Sequence, residues 1–115
     1  MAIPDNDTGK SSTGLEPNLA AALAYLFGFI TGLILLSLEK DSAYVRFHAA
    51  QSTAVFVSAL VLNFLLLGIP IIGWLLLPVL WIGGAVLWAF LMFKALAGQR
   101  FKVPFLGDFA ARYLA

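Results

Sequence analysis

The sequence of residues 47–93 is FHAAQSTAVFVSALVLNFLLLGIPIIGWLLLPVLWIGGAVLWAFLMF, and these 47 residues contain no aspartate, glutamate, lysine or arginine. A second uncharged stretch covers residues 17–38. A water-soluble domain keeps charged side chains on its surface, whereas a helix needs about 20 apolar residues to cross a bilayer. The two stretches are long enough for three crossings. They predict a small multi-pass protein of the cell membrane.

The composition agrees with this prediction and excludes several kinds of site. Of the 115 residues, 62% are hydrophobic and 11% are charged, against about 25% charged in an average soluble domain. The chain has no cysteine, which excludes disulfides, thiolate metal sites and cysteine nucleophiles. Its first charges are Asp5 and Asp7 rather than a basic cluster, so we interpret residues 17–38 as a retained span rather than a cleaved signal peptide.

The order of polar and apolar segments predicts an all-α membrane protein with three transmembrane helices. Residues 1–14 are small and polar, which predicts a disordered tail, and residues 15–115 are predicted to form one helical membrane domain. The connection at residues 39–42 is short, so the second helix is expected to start at once with Asp41 or Ser42 as its cap. The three spans are predicted at about 18–38, 45–67 and 71–96.

Two segments near the C-terminus need separate predictions. The third span contains Pro78, so it is either one kinked, tilted helix or a short interfacial piece at 71–77 followed by a span. In residues 99–115, Phe105, Phe109 and Tyr113 recur every four positions, and Asp108 and Arg112 are spaced to form an ion pair. This pattern predicts a short amphipathic helix that lies at the membrane interface.

The positions of the basic residues predict the orientation. With three spans, residues 1–17 and the turn at 68–70 lie on one side of the membrane, which carries only Lys10. Basic residues are enriched in cytoplasmic loops, so we expect the N-terminus outside and the C-terminus in the cytoplasm. Two or four crossings would instead place both termini on one side. The basic residues predicted on the cytoplasmic side are Lys40, Arg46, Lys94, Arg100, Lys102 and Arg112.

Gly28 and Gly32 form a GxxxG pattern in the first apolar stretch. Small residues let two helix backbones approach closely in lipid, where apolar burial does not drive association. We interpret Gly28 and Gly32 as a helix-packing face that contacts the protein's own second or third helix. An interface between copies of the chain is the alternative.

The second helix carries a strip of polar side chains. At 100° per residue, His48, Gln51, Ser52 and Asn63 lie on one face, with Arg46 near its start. Polar groups in lipid turn inward and form hydrogen bonds. We favour an interhelical hydrogen-bonded seam, and the alternative is a polar groove that contacts a substrate or a passing chain. The uncharged stretches contain no carboxylate of the kind that proton or ion pathways use.

The residues that would perform chemistry are missing or scattered. His48 is the single histidine, so no metal site of several ligands is expected. No paired carboxylates, nucleophile with a base, phosphate-binding loop or nucleic-acid motif can be assembled, so we predict a non-enzymatic protein without a cofactor. Three tryptophans recur every seven residues, which is typical of packing. The indole N–H of Trp81 is expected to need a partner, such as Asn63 or a backbone carbonyl freed by Pro78.

Residues 38–52, LEKDSAYVRFHAAQS, resemble a motif of small prokaryotic membrane proteins of unknown function. These proteins are distantly related to the chloroplast inner-envelope import component Tic twenty. The plastid members are regarded as four-helix components of a protein-conducting complex, so the resemblance implies a membrane role without assigning chemistry to any residue. It covers about residues 15–110 and extends to NLAAALAYL (18–26), IGW (72–74), FLMFKA (90–95) and KVPFLGD (102–108).

These observations support a non-enzymatic structural or accessory subunit of a membrane complex. Its partners are expected to be the lipid bilayer and either another membrane protein or further copies of itself, and not nucleic acid. The main alternative is a Tic-like translocation or solute pathway formed by an oligomer. A third hypothesis is that the interfacial aromatic residues and basic tail sense the state of the membrane.

Overall fold

The structure, a computed structural model, describes residues 11–12 and 14–115, and all regular secondary structure in this part of the chain is helical. The predicted all-α class is therefore confirmed for these residues. Most of the tail predicted at 1–14 lies outside them. The helices are α1 (Pro17–Leu26), α2 (Phe29–Leu38), α3 (Ala43–Leu67), α4 (Ile72–Leu96) and α5 (Leu106–Phe109), which continues into a π-helical turn at Ala110–Leu114.

Helices α3 and α4 are the two described helices that are long and apolar enough to cross a membrane. Each has 25 residues, or about 38 Å at 1.5 Å per residue, against a hydrocarbon core of about 30 Å. Their bounds agree with the predicted spans at 45–67 and 71–96. The Ser42 hydroxyl caps α3 by accepting a hydrogen bond from Val45 N (3.2 Å), and α4 continues through Pro78 as one helix.

The first predicted span, at 18–38, is not one continuous helix and is not confirmed, because the chain breaks at Phe27 and Gly28 into two helices of 10 residues each. Gly28 has φ +63°, a left-handed conformation that costs other L-residues roughly 1–2 kcal/mol and that a continuous helix does not contain. A helix of 10 residues is about 15 Å long, half the thickness of the hydrocarbon core. Neither α1 nor α2 can therefore cross the membrane alone.

Helices α1 and α2 fold back on each other as a helical hairpin. Helix α1 starts beside the end of α4, where Asn18 Nδ2 donates to Leu96 O (3.1 Å). At the tip, a Cβ on Gly28 would lie 3.3 Å from the Phe56 ring, near the middle of α3. Helix α2 then returns to the start of α3.

The reversal at Gly28 overturns the predicted placement of the N-terminal segment. Ser12 N donates to Glu39 Oε2 (2.7 Å), and the Ser12 hydroxyl lies 3.0 Å from Asp41 Oδ2. The segment before α1 therefore lies at the same end of the molecule as the α2–α3 connection and the end of α4. The described part of residues 1–17 therefore does not share an end of the molecule with the turn at 68–70, because the apolar stretch reverses direction at Gly28.

Burial differs sharply between the two halves of the long helices. From Ser42 to Val55, every residue except Ala43 and Arg46 is buried, whereas from residue 57 to residue 70 only Leu66 is buried. We call the well-buried half of the molecule the basal half and the exposed half the distal half. The basal half comprises α1, α2, residues 43–55 of α3, residues 87–96 of α4 and the C-terminal segment 99–114. The distal half comprises residues 57–67 of α3 and residues 72–84 of α4.

The C-terminal segment packs against the basal half. Ala110 is fully buried and forms a small core cluster with Ala50 and Ala54. The predicted ion pair between Asp108 and Arg112 is wrong, because the Asp108 carboxylate instead lies 3.4 Å from Lys102 Nζ. The three aromatic side chains that predicted an amphipathic helix are exposed: Phe105 by 88%, Phe109 by 48% and Tyr113 by 67%.

Candidate functional site

Four of the five residues of the predicted polar face lie together in the basal half. Arg46 is partly buried, and His48, Gln51 and Ser52 have no exposed surface. Asn63 lies apart from them in the distal half. The structure thus divides the predicted strip into a buried polar cluster and one separate amide.

Tyr25, from the α1–α2 hairpin, is the centre of the buried cluster. Its hydroxyl lies 2.7 Å from His48 Nδ1 and accepts a hydrogen bond from Gln51 Nε2 (2.9 Å). His48 Nε2 lies 2.9 Å from Gln99 O, which can only accept. A neutral imidazole with its proton on Nε2 satisfies all three contacts, since Tyr25 then donates to Nδ1. Helical spacing places Tyr25 on the same face as Gly28 and Gly32, but no pattern in the sequence indicated that its hydroxyl would join the polar cluster.

Gln51 fastens the C-terminal segment to α3. Its Nε2 donates to Phe101 O (2.8 Å), and its Oε1 accepts from Val103 N (2.8 Å). Together with the bond to Tyr25, these contacts use both ends of the amide. One side chain therefore connects the hairpin, the long helix and the C-terminal segment in a buried position.

Ser52 satisfies backbone groups that the helix break leaves open. Its hydroxyl donates to Ala24 O (2.7 Å) and approaches Gly28 O (3.0 Å). The last carbonyls of a helix have no partner within the helix, and such groups are costly to leave unpaired in an apolar environment. Ser52 therefore helps to stabilise the end of α1 by providing a hydrogen-bond donor for a carbonyl that has no partner within the helix.

The Gly28 and Gly32 face is turned towards α3. A Cβ on Gly32 would lie 2.9 Å from Thr53 Oγ1 and 3.0 Å from Ala49 O, which leaves no room for a side chain. Contact with the protein's own second span is the first of the two arrangements considered for these glycines. The close approach allows α2 to pack directly on the α3 backbone.

Arg46 holds the end of α2. Its Nη1 donates to Leu36 O (2.8 Å) and Glu39 O (2.7 Å), and its Nε lies 3.4 Å from Ala115 O. A guanidinium at a helix C-terminus satisfies open carbonyls and interacts favourably with the helix dipole. Arg46 therefore joins the second half of the hairpin to α3 and to the end of the chain.

Glu39 belongs to the site although it was not singled out from the sequence. It has no exposed surface, and its Oε2 accepts hydrogen bonds from the backbone N–H of Ser12 (2.7 Å), Asp41 (3.0 Å) and Ser42 (2.9 Å). Burial alone would raise the pKa of Glu39, but hydrogen bonds from Ser12, Ser42 and Ser11 outweigh it and hold the pKa below the ordinary value of 4.5. The carboxylate thus stabilises the α2–α3 connection by accepting hydrogen bonds from its backbone.

We expect Glu39→Ala to destabilise the fold by about 1–3 kcal/mol, because three backbone donors lose their acceptor. Since the folded-state pKa is lowered, the contribution of the charge is present above pH 4.5 and is lost as the pH falls through the folded-state value. Thermal unfolding in detergent between pH 3 and pH 7 would measure both effects. Glu39→Gln is the control: it keeps an acceptor and should remove most of the pH dependence. Equal stability of all three proteins at pH 7 would contradict this role.

Asn63 and Trp81 form a separate contact in the distal half. Trp81 Nε1 donates to Asn63 Oδ1 (3.2 Å), which confirms the expected partner of this indole. The two residues lie at the edge of a mainly apolar cavity of about 380 Å³ between α3 and α4, below the hairpin tip. Its lining comprises Gly28, Phe29, Phe56, Ala59, Leu60, Asn63, Leu80, Trp81, Gly84, Ala85 and Trp88.

The chemistry available to the buried cluster is limited to hydrogen bonding. Tyr25, His48, Gln51 and Ser52 are all buried, and each has internal partners. Within residues 11–12 and 14–115, no group of three or more histidine, aspartate or glutamate side chains is arranged to hold a metal ion. The geometry is that of an internal fastening between the hairpin, α3 and the C-terminal segment.

Comparison with known proteins places this architecture in a family of membrane proteins. The chain is 45% identical over 105 residues to a UPF0132 membrane protein of Methanocaldococcus jannaschii, covering 91% of this chain and 94% of the relative. It is 41% identical over 100 residues to a UPF0132 membrane protein of Archaeoglobus fulgidus, covering 87% and 97%. No solved structure matches. These comparisons give no evidence of similarity to Tic twenty.

The family match covers the hairpin, both long helices and most of the C-terminal segment. It extends over residues 15–110, which include all the residues of the buried polar cluster. The chain therefore belongs to the family described as magnetosome magnetite crystal formation proteins.

Proposed function

We propose that this protein is a non-enzymatic structural or accessory subunit of a membrane complex in the cell membrane. The observation that carries the proposal is the contrast between the two halves. The polar side chains of the basal half are buried in internal hydrogen bonds, while the distal half exposes large apolar side chains such as Leu75, Val79 and Ile82. Such a molecule has a rigid base and a long apolar surface that lipid or another membrane helix can cover.

The proposed arrangement in the membrane has two crossings, α3 and α4, with the α1–α2 hairpin entering from one side. All described lysines and arginines then lie at the basal end, and the turn at 68–70 carries no charge. The positive-inside bias favours a cytoplasmic basal end, with both termini in the cytoplasm. This replaces the orientation predicted for three crossings.

The Tic-like translocation or solute pathway is the alternative function. The observation in its favour is the cavity between α3 and α4, which an oligomer would extend. Apart from Asn63 and the indole N–H groups of Trp81 and Trp88, its lining residues have apolar side chains, and two crossings are too few to enclose a pore. The alternative therefore requires several copies that surround a common path.

A third hypothesis is a role in magnetite crystal formation, which the family description names. A mineral surface or its precursor ions would need a set of exposed oxygen ligands. Among the described residues the carboxylates are few, and Glu39 is buried. The structure thus favours a role in organising the membrane or its proteins over direct ion binding.

Asn63→Leu separates the structural role from a pathway role. If the Asn63–Trp81 pair is a packing contact, we expect a loss of stability of about 0.6–2 kcal/mol and no change in flux through liposomes that contain the protein. If Asn63 lines a path, flux should change while assembly stays intact. Ser58→Leu is the control, because Ser58 is exposed on the same helix.

Purification in mild detergent from native membranes tests the proposed function as a whole. A foreign membrane protein retained at fixed stoichiometry would support an accessory subunit. Homo-oligomers that conduct solute after reconstitution would overturn it in favour of the pathway.

A further inference from the structure

The cross-section of the molecule changes at the level of the hairpin tip. On the basal side of this level, α1, α2 and the C-terminal segment surround α3, and Ala21, Tyr25 and Leu91 form a common core. On the distal side, α3 and α4 are the only described helices. There, Val61, Phe64 and Val79 are more than half exposed.

The depth of this change corresponds to the middle of a bilayer. Gly28 contacts Phe56, which lies 13 residues after the start of α3 and 11 residues before its end. The hairpin helices are about 15 Å long, half of a 30 Å hydrocarbon core. In the two-crossing arrangement proposed above, on which this inference rests, the hairpin therefore occupies one leaflet and leaves the other leaflet to two helices.

Exposed side chains of the C-terminal segment further enlarge the cross-section of the basal half, at the level of the lipid headgroups. Phe105, Phe109 and Tyr113 are exposed there, together with Lys102 and the guanidinium of Arg112, which lies 6.0 Å from the Tyr113 ring centre. Aromatic side chains flanked by basic groups insert at the boundary between headgroups and acyl chains, and such insertion depends on curvature.

We propose that this protein is a membrane wedge that prefers and stabilises curved bilayer, with the leaflet that holds the basal half on the convex side. A protein whose cross-section is larger in one leaflet than in the other fits a flat bilayer poorly. Curvature relieves this mismatch when the leaflet that holds the larger cross-section lies on the convex side. With the orientation proposed above, the membrane bulges towards the cytoplasm. The partner is the lipid bilayer itself, so the inference stands whether or not a protein partner exists.

Sorting between flat and tubular membrane tests the wedge. The full chain, labelled at a cysteine in place of Tyr113, is reconstituted into giant vesicles, and thin tubes are pulled outward from them. A membrane-impermeant quencher outside the vesicles separates the two orientations. Molecules with the basal end outside should be enriched on the tube by at least about twofold, because curvature selects the state that fits it better. Molecules in the inverted orientation should be depleted and serve as the internal control.

Equal densities on tube and flat membrane in both orientations would overturn the wedge. A second measurement keeps this result interpretable. A fluorophore at residue 27 should be quenched best by lipids that carry a quencher near the end of their acyl chains, because the hairpin tip is at mid-bilayer depth. Mid-bilayer quenching without sorting would refute the curvature preference and leave the hairpin and the accessory-subunit proposal intact.

Discussion

Replacement of Gln51 by leucine is expected to destabilise the protein by about 3–5 kcal/mol, because it removes the partner of Phe101 O and of Val103 N and one of the two partners of the Tyr25 hydroxyl. The Gln51 amide serves the Tyr25 hydroxyl, Phe101 O and Val103 N, and its side chain has no exposed surface. The loss should appear in reversible unfolding in mixed micelles, followed by the fluorescence of Trp88. The Trp88 indole N–H donates to Tyr25 O (2.6 Å) and so reports on the same region.

The same substitution should release the C-terminal segment before the rest of the fold. Limited proteolysis is expected to cut residues 99–105 faster in Gln51→Leu than in the unaltered protein. Ser58→Leu is the matched control, because it adds an equally apolar side chain to an exposed position of α3. If Gln51→Leu differs from Ser58→Leu by less than about 0.5 kcal/mol, the buried cluster does not hold the C-terminal segment.

Gly28→Leu is expected to have the second large effect, about 3 kcal/mol, from two separate causes. The left-handed conformation at φ +63° costs a residue with a Cβ roughly 1–2 kcal/mol. The new side chain also starts 3.3 Å from Cγ of the Phe56 ring, so the ring or the hairpin tip must move. Both causes oppose the hairpin and favour a continuous helix over residues 17–38, which has the length of a span.

Gly14→Leu is the control for Gly28→Leu, because it separates the two causes. Gly14 has φ +85°, but a Cβ there would meet nothing within 4 Å. We expect Gly14→Leu to carry only the backbone cost and to leave the topology unchanged. In Gly28→Leu, a measurable fraction of molecules should place residue 16 on the side of the turn at 68–70. Identical stability and topology of the two variants would show that the hairpin tip does not pack on Phe56.

The long helices and the start of α3 could be predicted from the sequence, because their signals are local. Charge-free length indicated α3 and α4, and the short polar connection indicated a cap at Asp41 or Ser42, of which the structure has Ser42. The lone indole of Trp81 indicated a partner such as Asn63 or a carbonyl freed by Pro78, and the structure has Asn63. Each of these features depends on the few residues around it or on one neighbouring helix.

The hairpin could not be predicted from the same signals. Residues 17–38 have the length and composition of a span, and a glycine in such a stretch is equally typical of close helix packing. The break at Gly28 becomes stable only because Ser52 and Thr31, which both bond to Ala24 O, satisfy the backbone opened there. These contacts join residues that are distant in sequence or lie across the break, so the fold had to be known first.

The candidate site also combines features that local sequence predicts with contacts that it does not predict. Spacing at 100° per residue placed His48, Gln51 and Ser52 on one face of α3, and the structure buries all three side chains. It could not indicate that Tyr25, Gln99 and Phe101 would provide their partners, since these residues come from the hairpin and the C-terminal segment. Glu39 was missed because a charged residue in a short connection is normally a solvated one.

The most direct test of the re-entrant hairpin is the side of the membrane on which single cysteines react. The natural chain has no cysteine, so Glu16, Ile69 and Tyr113, all exposed, can each be replaced in turn and labelled with an impermeant maleimide in intact cells and in permeabilised cells. The structure predicts that residues 16 and 113 react from the same side and residue 69 from the other. Reaction of residue 16 from the side of residue 69 would show that residues 17–38 cross the membrane and would contradict the hairpin.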